Sequence, residues 1–386
     1  MTHPSQTAPG LYIHLPFCQS RCGYCDFSVY TDRDDRQAEY VEALEREMAF
    51  WSTHESRAFQ SLYFGGGTPS RLEFSLWQRL LESLRKGFDL SIASEVTVEA
   101  NPESLSQELL DLWTAGGVTR VSLGVQSFND HDLKILDRAH DRKKAFEAIA
   151  LLQKSTIKSW SVDLIYGLPH QDRKGWMENL NAFLQTGAPH VSFYNLIQHP
   201  GLPVTQGMAG EDPQKRQEID ADLFLDTVHF LTRHGFEVYE LSNAAQKGHA
   251  CRHNLLYWCG GEWLGLGLSA WSCLEGRLFS NPASWQSYME TWRDIPDSIP
   301  VPVHQPAFES LLLDRIMLRL RLAEGVGIAD LVDWVGEEAF HGTHTLRQDL
   351  IHHGYLKADS RIIALTPEGW LVHSEIVTRL MQGFGF

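Results

Sequence analysis

The sequence predicts an α/β protein, a mainly parallel sheet curled into a partial (β/α)6 barrel and followed by a smaller, mostly helical domain. Three observations carry this. Six apolar runs alternate with helical patterns over the first 240 residues, a proline-rich stretch follows near residue 300, and the remaining segment changes to helices with a short hairpin. Strands in series joined by helices take right-handed crossovers and give parallel sheets covered by helices. A doubly wound open sheet remains the alternative arrangement of the same elements.

The strands expected are LYIHLPF (11–17), SLYFGGG (61–67), EVTVEANP (95–102), RVSLGVQSF (120–128), WSVDLIYGLP (160–169) and HVSFYNLI (190–197), each β-branched or aromatic-rich and ended by Gly, Pro or polar residues. Between the first two, Tyr40, Val41, Leu44, Met48 and Trp51 recur at helical spacing, and Trp77, Leu80, Leu81, Leu84 and Phe88 repeat the pattern after the second. A third helix is expected to open at Ser104, with Gln107 completing a capping box, and to stop at Gly116 and Gly117. Further helices fit 130–154, 174–185 and 213–234.

Residues 1–10 read as a disordered start, 11–240 as the barrel and 241–293 as an extension. DIPDSIPVPVHQP (294–306) holds four prolines and reads as an irregular linker. Within 307–386, helices near 308–323 and 328–353, the hairpin-like YLKADSRIIALT and a last helix suggest a winged helix.

With 386 residues, 43% of them hydrophobic, the chain can bury a large core, and its formal charge of -16 argues against a nucleic-acid surface. No run approaches the roughly 18 apolar residues of a membrane span, and the start has no secretory pattern. The expectation is a cytoplasmic protein that is not integral to a membrane. In that reducing compartment its six cysteines are expected to bind metal or do chemistry rather than form a disulfide framework.

Three of them, Cys18, Cys22 and Cys25, lie spaced CxxxCxxC just after the first strand. Thiolates suit zinc or iron–sulfur clusters, and no fourth ligand for a structural zinc follows nearby. Three thiolates on a four-iron cluster leave one iron open to a ligand. Active sites in such sheets sit at C-terminal strand ends, where Gly65 to Pro69, Glu99, Gln126 and Asp163 also fall.

With Tyr24 before its last cysteine, this loop resembles the signature of the radical S-adenosylmethionine (SAM) superfamily, and GGGTP at 65–69 resembles its motif for the SAM amino group. VEANP, RVSLGVQSF, LDRAH and DLIYGLP resemble the coproporphyrinogen III dehydrogenase branch, which includes the HemW family of heme chaperones. The resemblance implies a [4Fe–4S] cluster on Cys18, Cys22 and Cys25, and SAM bound by Tyr12, Tyr24, Gly66, Gly67, Thr68, Glu99, Gln126, Arg138 and Asp163. Arg138, expected in a helix, would hold the SAM carboxylate with its guanidinium fork, and Asp163 would accept from a ribose hydroxyl.

Within the branch, the dehydrogenases extend the cysteine loop to CxxxCxxCxC, where this chain has Phe27, and carry a longer N-terminal segment. HNLLYW (253–258) resembles the HNxxYW motif of the chaperones, whereas GLGLSAWS (265–272) looks closer to the dehydrogenases. His253 offers an imidazole to iron, and Tyr257 and Trp258 offer flat faces to a porphyrin. By itself a His beside aromatics reads more often as a packed core residue. Arg21 is a candidate partner for porphyrin propionates, and Cys251, Cys259 and Cys273 read as buried thiols. The function expected is a heme chaperone with heme as cargo and a hemoprotein acceptor, by resemblance a membrane enzyme of the respiratory chain. The alternatives are an oxygen-independent coproporphyrinogen III dehydrogenase of porphyrin biosynthesis, and another radical SAM enzyme acting on a tetrapyrrole.

Overall fold

Six parallel strands, paired in chain order, form the centre of the computed structural model: β1 (Gly10–Leu15), β2 (Ser61–Gly66), β3 (Glu95–Ala100), β4 (Arg120–Gln126), β5 (Ser159–Tyr166) and β6 (His190–Asn195). The structure describes residues 8–197, 201–206, 210 and 212–386. Residues 1–7 of the expected disordered start lie outside that set, and Gly10 is already strand.

Side chains alternate between the two faces of a strand. Leu11, Ile13 and Leu15, Leu62 and Phe64, Val96 and Val98, Val121 and Leu123, Val162 and Leu164 are buried on one face. That face takes the helices: the Phe64 ring meets Trp77 at 4.9 Å, and Trp77 meets Trp113 at 5.5 Å. Each such side chain removed from water contributes about 1.5–3 kcal/mol. The other face is polar almost throughout, with Ser61, Thr97, Arg120, Ser122, Ser161, His190 and Ser192 all buried.

The helices between the strands are α1 (Gln37–His54), α2 (Phe74–Gly87), α3 (Gln107–Ala115), α4 (Asp130–Ile135), α5 (Arg142–Lys154) and α6 (Arg173–Thr186). Two expectations are corrected. The cap of α3 is Ser106, whose side chain accepts from Leu109 N–H, while Ser104 Oγ turns to Ser70 Oγ at 2.6 Å. The single helix expected over 130–154 is two, because the Asp141 side chain accepts from Lys144 N–H and starts α5 afresh. Arg138 therefore lies in a connecting loop.

By density of contacts the chain divides into two units, residues 1–216 with 262–305 and residues 217–261 with 306–386. The breaks fall after 216, 261 and 305, against expected boundaries after 240, 293 and 306. In the first unit, Trp263–Leu266 adds parallel to β1, and Trp271–Leu274 and Arg277–Ser280 follow antiparallel. The proline-rich segment is not wholly irregular: Val303–His304 pairs with Arg277–Ser280.

In the second unit the strands Glu237–Glu240 and Asn243–Ala245 form a hairpin bound to the helix Phe308–Arg321. Glu240 bridges Leu322 through the backbone, and its carboxylate accepts from Arg321 Nε at 2.6 Å. These contacts group 217–261 with the later unit. A three-stranded antiparallel sheet (Val326–Gly327, Ile362–Leu365, Leu356–Ala358) with helices around it completes a winged-helix-like unit. Among the described residues no helix is long and apolar enough to cross a membrane.

Candidate functional site

The loop after β1 is held at both ends by backbone bonds. Cys18 N–H donates to Tyr30 C=O at 3.0 Å and Tyr30 N–H to Pro16 C=O at 2.7 Å, closing the loop on its own stem. At its middle, Gly23 N–H donates to Leu136 C=O at 3.1 Å and Gly23 C=O accepts from Val204 N–H at 3.2 Å. A Cβ there would meet Asp137 Oδ2 at 2.9 Å, so this glycine, which the spacing of the cysteines does not flag, lets the loop seat against the α4–α5 connection.

A cavity of about 470 Å³ opens above the carboxyl ends of the strands. Cys18, Cys22 and Cys25 bound it together with Tyr24, Gly66, Gly67, Thr68, Glu99, Gln126, Arg138 and Asp163. Tyr12 is not among the bounding residues; its hydroxyl pairs with His14 Nδ1 at 3.1 Å and its ring stacks on Tyr63. Asn101, Ser122, Gly124 and Tyr194 also bound the cavity and were missed. Asn101 and Gly124 stand within VEANP and RVSLGVQSF, and the polar residue at every second position of β4 and β5 is the signal that would have found Ser122.

Each strand end aims its residue for a local reason. Gly66 has φ +109°, and a Cβ on it would meet the His14 ring at 2.5 Å. One extra residue in β4, between the pairs Leu123 with Val162 and Gln126 with Leu164, forms a bulge. It leaves Gln126 at φ +66° and turns that side chain to the cavity, a conformation that costs about 1–3 kcal/mol.

The electrostatics are those of buried groups. Burial pushes the Cys18 thiol up to about 11, and that of Cys25 upward too. Thiolates there call for a cationic partner, as a metal centre provides. Cys18 Sγ lies 3.5 Å from Thr68 Oγ1. Glu99 accepts from Tyr63 Oη at 2.8 Å and Gly66 N–H at 3.3 Å, and burial raises its carboxyl to about 7. Asp163, raised by burial, accepts from Ser122 Oγ and Ser161 Oγ.

Arg138 donates from Nη2 to Asn101 Oδ1 (2.7 Å) and Gly124 C=O (2.8 Å), and from Nη1 to Cys22 Sγ and Tyr24 Oη, both at 3.4 Å. Its Nε is buried and has no partner among the described residues, a donor left for a ligand acceptor. Among the described residues, no three His, Cys, Asp or Glu side chains gather as a site for a single metal ion. A donor set of three thiols on a long loop fits a larger cluster. Glu99 and the Arg138 guanidinium on one cavity offer opposite charges, as an amino acid zwitterion requires.

HNLLYW lies in the second unit, on the helix Arg252–Trp258. His253 is 1% exposed, its Nε2 is 2.8 Å from Tyr257 Oη, and burial lowers it to about 3, so the ring is neutral. The Arg321 guanidinium lies 4.4 Å over the Trp258 ring. Of the remaining cysteines Cys251 is buried as expected. Cys259 is exposed, following the helix end and lying 3.3 Å from Arg319 Nη1, and Cys273 is half-buried. Arg21 is exposed and braces the cysteine loop, donating to Cys25 C=O and Phe27 C=O.

Comparison with known proteins agrees with this geometry. The family model of the radical SAM superfamily matches residues 12–183, and that of the HemN C-terminal domain matches 309–372. The chain is 35% identical to the heme chaperone HemW of Synechocystis over 83% of this chain and 79% of that one. It is 30% identical to HemW of Bacillus subtilis over 95% and 97% of the two chains. The solved coproporphyrinogen III oxidase HemN of Escherichia coli superposes with a TM-score of 0.83 at 22% identity, covering 98% of this chain and 91% of that one, which establishes the fold. This chain belongs to the HemW family of heme chaperones within the radical SAM superfamily.

Proposed function

We propose that this chain is a heme chaperone: Cys18, Cys22 and Cys25 hold a [4Fe–4S] cluster, the cavity beside them takes SAM, and heme is carried to an acceptor hemoprotein with His253 as its candidate ligand. The observation that carries the cofactor part is the single cavity bounded by three thiols, the half-buried Glu99 and Asp163 and the partly satisfied Arg138. When bound, a cluster on three thiolates supplies one-electron chemistry at an iron left open to a ligand. The chain's own part is to bind and orient: Glu99 receives an ammonium, Arg138 Nε a carboxylate oxygen, and Asp163 a hydroxyl. The heme part is supported by the family and by a neutral imidazole, the form that ligates iron, at His253. The acceptor follows the family expectation of a respiratory hemoprotein.

A second reading, an oxygen-independent coproporphyrinogen III dehydrogenase, is favoured by the whole-chain superposition on HemN. One experiment separates the two. The reconstituted protein is incubated anaerobically with SAM, reductant and coproporphyrinogen III, products and 5′-deoxyadenosine are assayed together, and hemin is titrated in parallel. The chaperone predicts no porphyrin turnover and stoichiometric hemin binding that weakens in His253→Ala. Protoporphyrinogen formed over many turnovers in step with deoxyadenosine would replace it with the dehydrogenase.

A further inference from the structure

Below the cavity the inward face of the barrel strands is polar and buried, and one residue on it is a cation. We propose that Arg120 is the positioning residue of the cavity floor: from below, its guanidinium holds Glu99 and Asp163 as the carboxylates that receive a positively charged ligand. This rests on the cofactor reading above and assigns a role to a residue that does not bound the cavity.

Arg120 opens β4, is 2% exposed, and stands in register between Thr97 of β3 and Ser159 of β5. Two residues on, along the same face, Ser122 is in register with Glu99, and its hydroxyl donates to Asp163 Oδ1 and Oδ2 at 3.1 and 3.0 Å. The cation thus lies one layer below Ser122 and Glu99 and two below Asp163 on one face, where a unit charge acts over a layer spacing far more strongly than in water.

Burial is the largest influence on both carboxyls and drives them toward protonation. Glu99, at about 7, is then lowered by the Tyr63 hydroxyl, raised by Asp163, and lowered by Gly66 N–H and by Arg120. At Asp163 the opposing influences are Ser192, Arg120, Ser122 and Ser161. The other charged or titratable groups near them are Glu95 on the inward face of β3, His190 on β6 with Nδ1 2.8 Å from Ser161 Oγ, and Arg138 at the rim. Arg120 is the cation that lowers both carboxyls.

The sign follows. A ligand ammonium or sulfonium is bound by the ionised form, so affinity falls as pH drops through the Glu99 value; removing Arg120 moves that fall to higher pH. The test is equilibrium dialysis of radiolabelled SAM against the cluster-reconstituted full chain from about pH 6 to pH 9, the range in which a buried carboxyl titrates. Wild type is expected to lose affinity below about 7. In Arg120→Met the midpoint rises, with neutral-pH affinity falling by up to about tenfold per unit of rise, and Arg120→Lys restores it. A folded Arg120→Met with the wild-type midpoint overturns the proposal, whether affinity is unchanged or reduced equally at every pH. Arg120→Gln carries the same expectation if the Met variant does not fold. Absence of SAM binding by wild type overturns the cofactor reading instead.

Discussion

The cysteine-loop cavity and the HNLLYW helix use similar chemical groups in opposite states. At the cavity, thiols, carboxyls and a guanidinium border open space, and Arg138 Nε has no partner among the described residues. At the helix, His253 is 1% exposed and its Nε2 is occupied by Tyr257. On the proposed reading, the first is a site already shaped for its ligand, while the second has to give up its hydrogen bond to Tyr257 to coordinate iron through Nε2. The difference teaches that, on this reading, cofactor binding is limited by the donors present, and heme binding by what the donor must leave.

The largest effect that tests this difference is the removal of a donor. Cys22→Ala is expected to abolish the four-iron absorbance after anaerobic reconstitution and to bring iron to trace levels, with the fold kept. Arg138 retains Asn101 and Gly124 when the Cys22 sulfur is gone. Iron and sulfide at wild-type content would remove the cluster from this loop.

Next in size is damage to the shape of the cavity. Gly66→Ala places a Cβ 2.5 Å from the His14 ring at φ +109° and is expected to destabilise the chain by about 2–3 kcal/mol in chemical denaturation. Gly87→Ala is the control, since its Cβ would meet nothing nearer than Ser52 Cβ at 3.7 Å. Equal effects of the two would mean that β2 relaxes, and that the cavity is less preformed than the comparison holds.

The parts legible in the sequence were those set by local pattern. Apolar runs bounded by Gly and Pro located all six barrel strands, and the CxxxCxxC spacing found three cavity residues without any partner in view. Tertiary contacts decided the rest. The pattern over 130–154 is helical throughout, yet the Asp141 cap and the Leu136 carbonyl bond to Gly23 break it and bring Arg138 to the thiols. Trp263–Leu266, Trp271–Leu274 and Arg277–Ser280 are four residues each, too short to show a period; the first is fixed by β1 beside it and the others by pairing in turn. The polar alternation of β3 to β6 was present in the sequence but hidden by the apolar residues between, which is why Arg120 and Ser122 were not singled out. Residues 217–261 join the later unit because Glu240 meets Arg321 and Leu322, a pairing across about eighty positions that no window of sequence reveals.

The smallest effect sharpens the comparison most. A hydrogen bond such as that between Tyr257 Oη and His253 Nε2, at 2.8 Å, contributes about 1 kcal/mol net, and it competes with any ligand that takes the same nitrogen. Tyr257→Phe keeps the ring that meets His253 edge-on at 4.9 Å and deletes only the hydroxyl. If His253 ligates heme through Nε2, the variant is expected to bind hemin about fivefold more tightly, the equivalent of that bond. The pH profile distinguishes this from an exposed ligand. A solvated histidine gains a proton near pH 6.5 and loses iron below it. His253, held neutral by burial down to about 3, is expected to bind hemin equally between about pH 5 and pH 7 in wild type and variant alike. Weaker binding in Tyr257→Phe, or a loss of affinity centred near pH 6.5, would mean that heme is held by another, more exposed residue and that His253 serves only to anchor its helix.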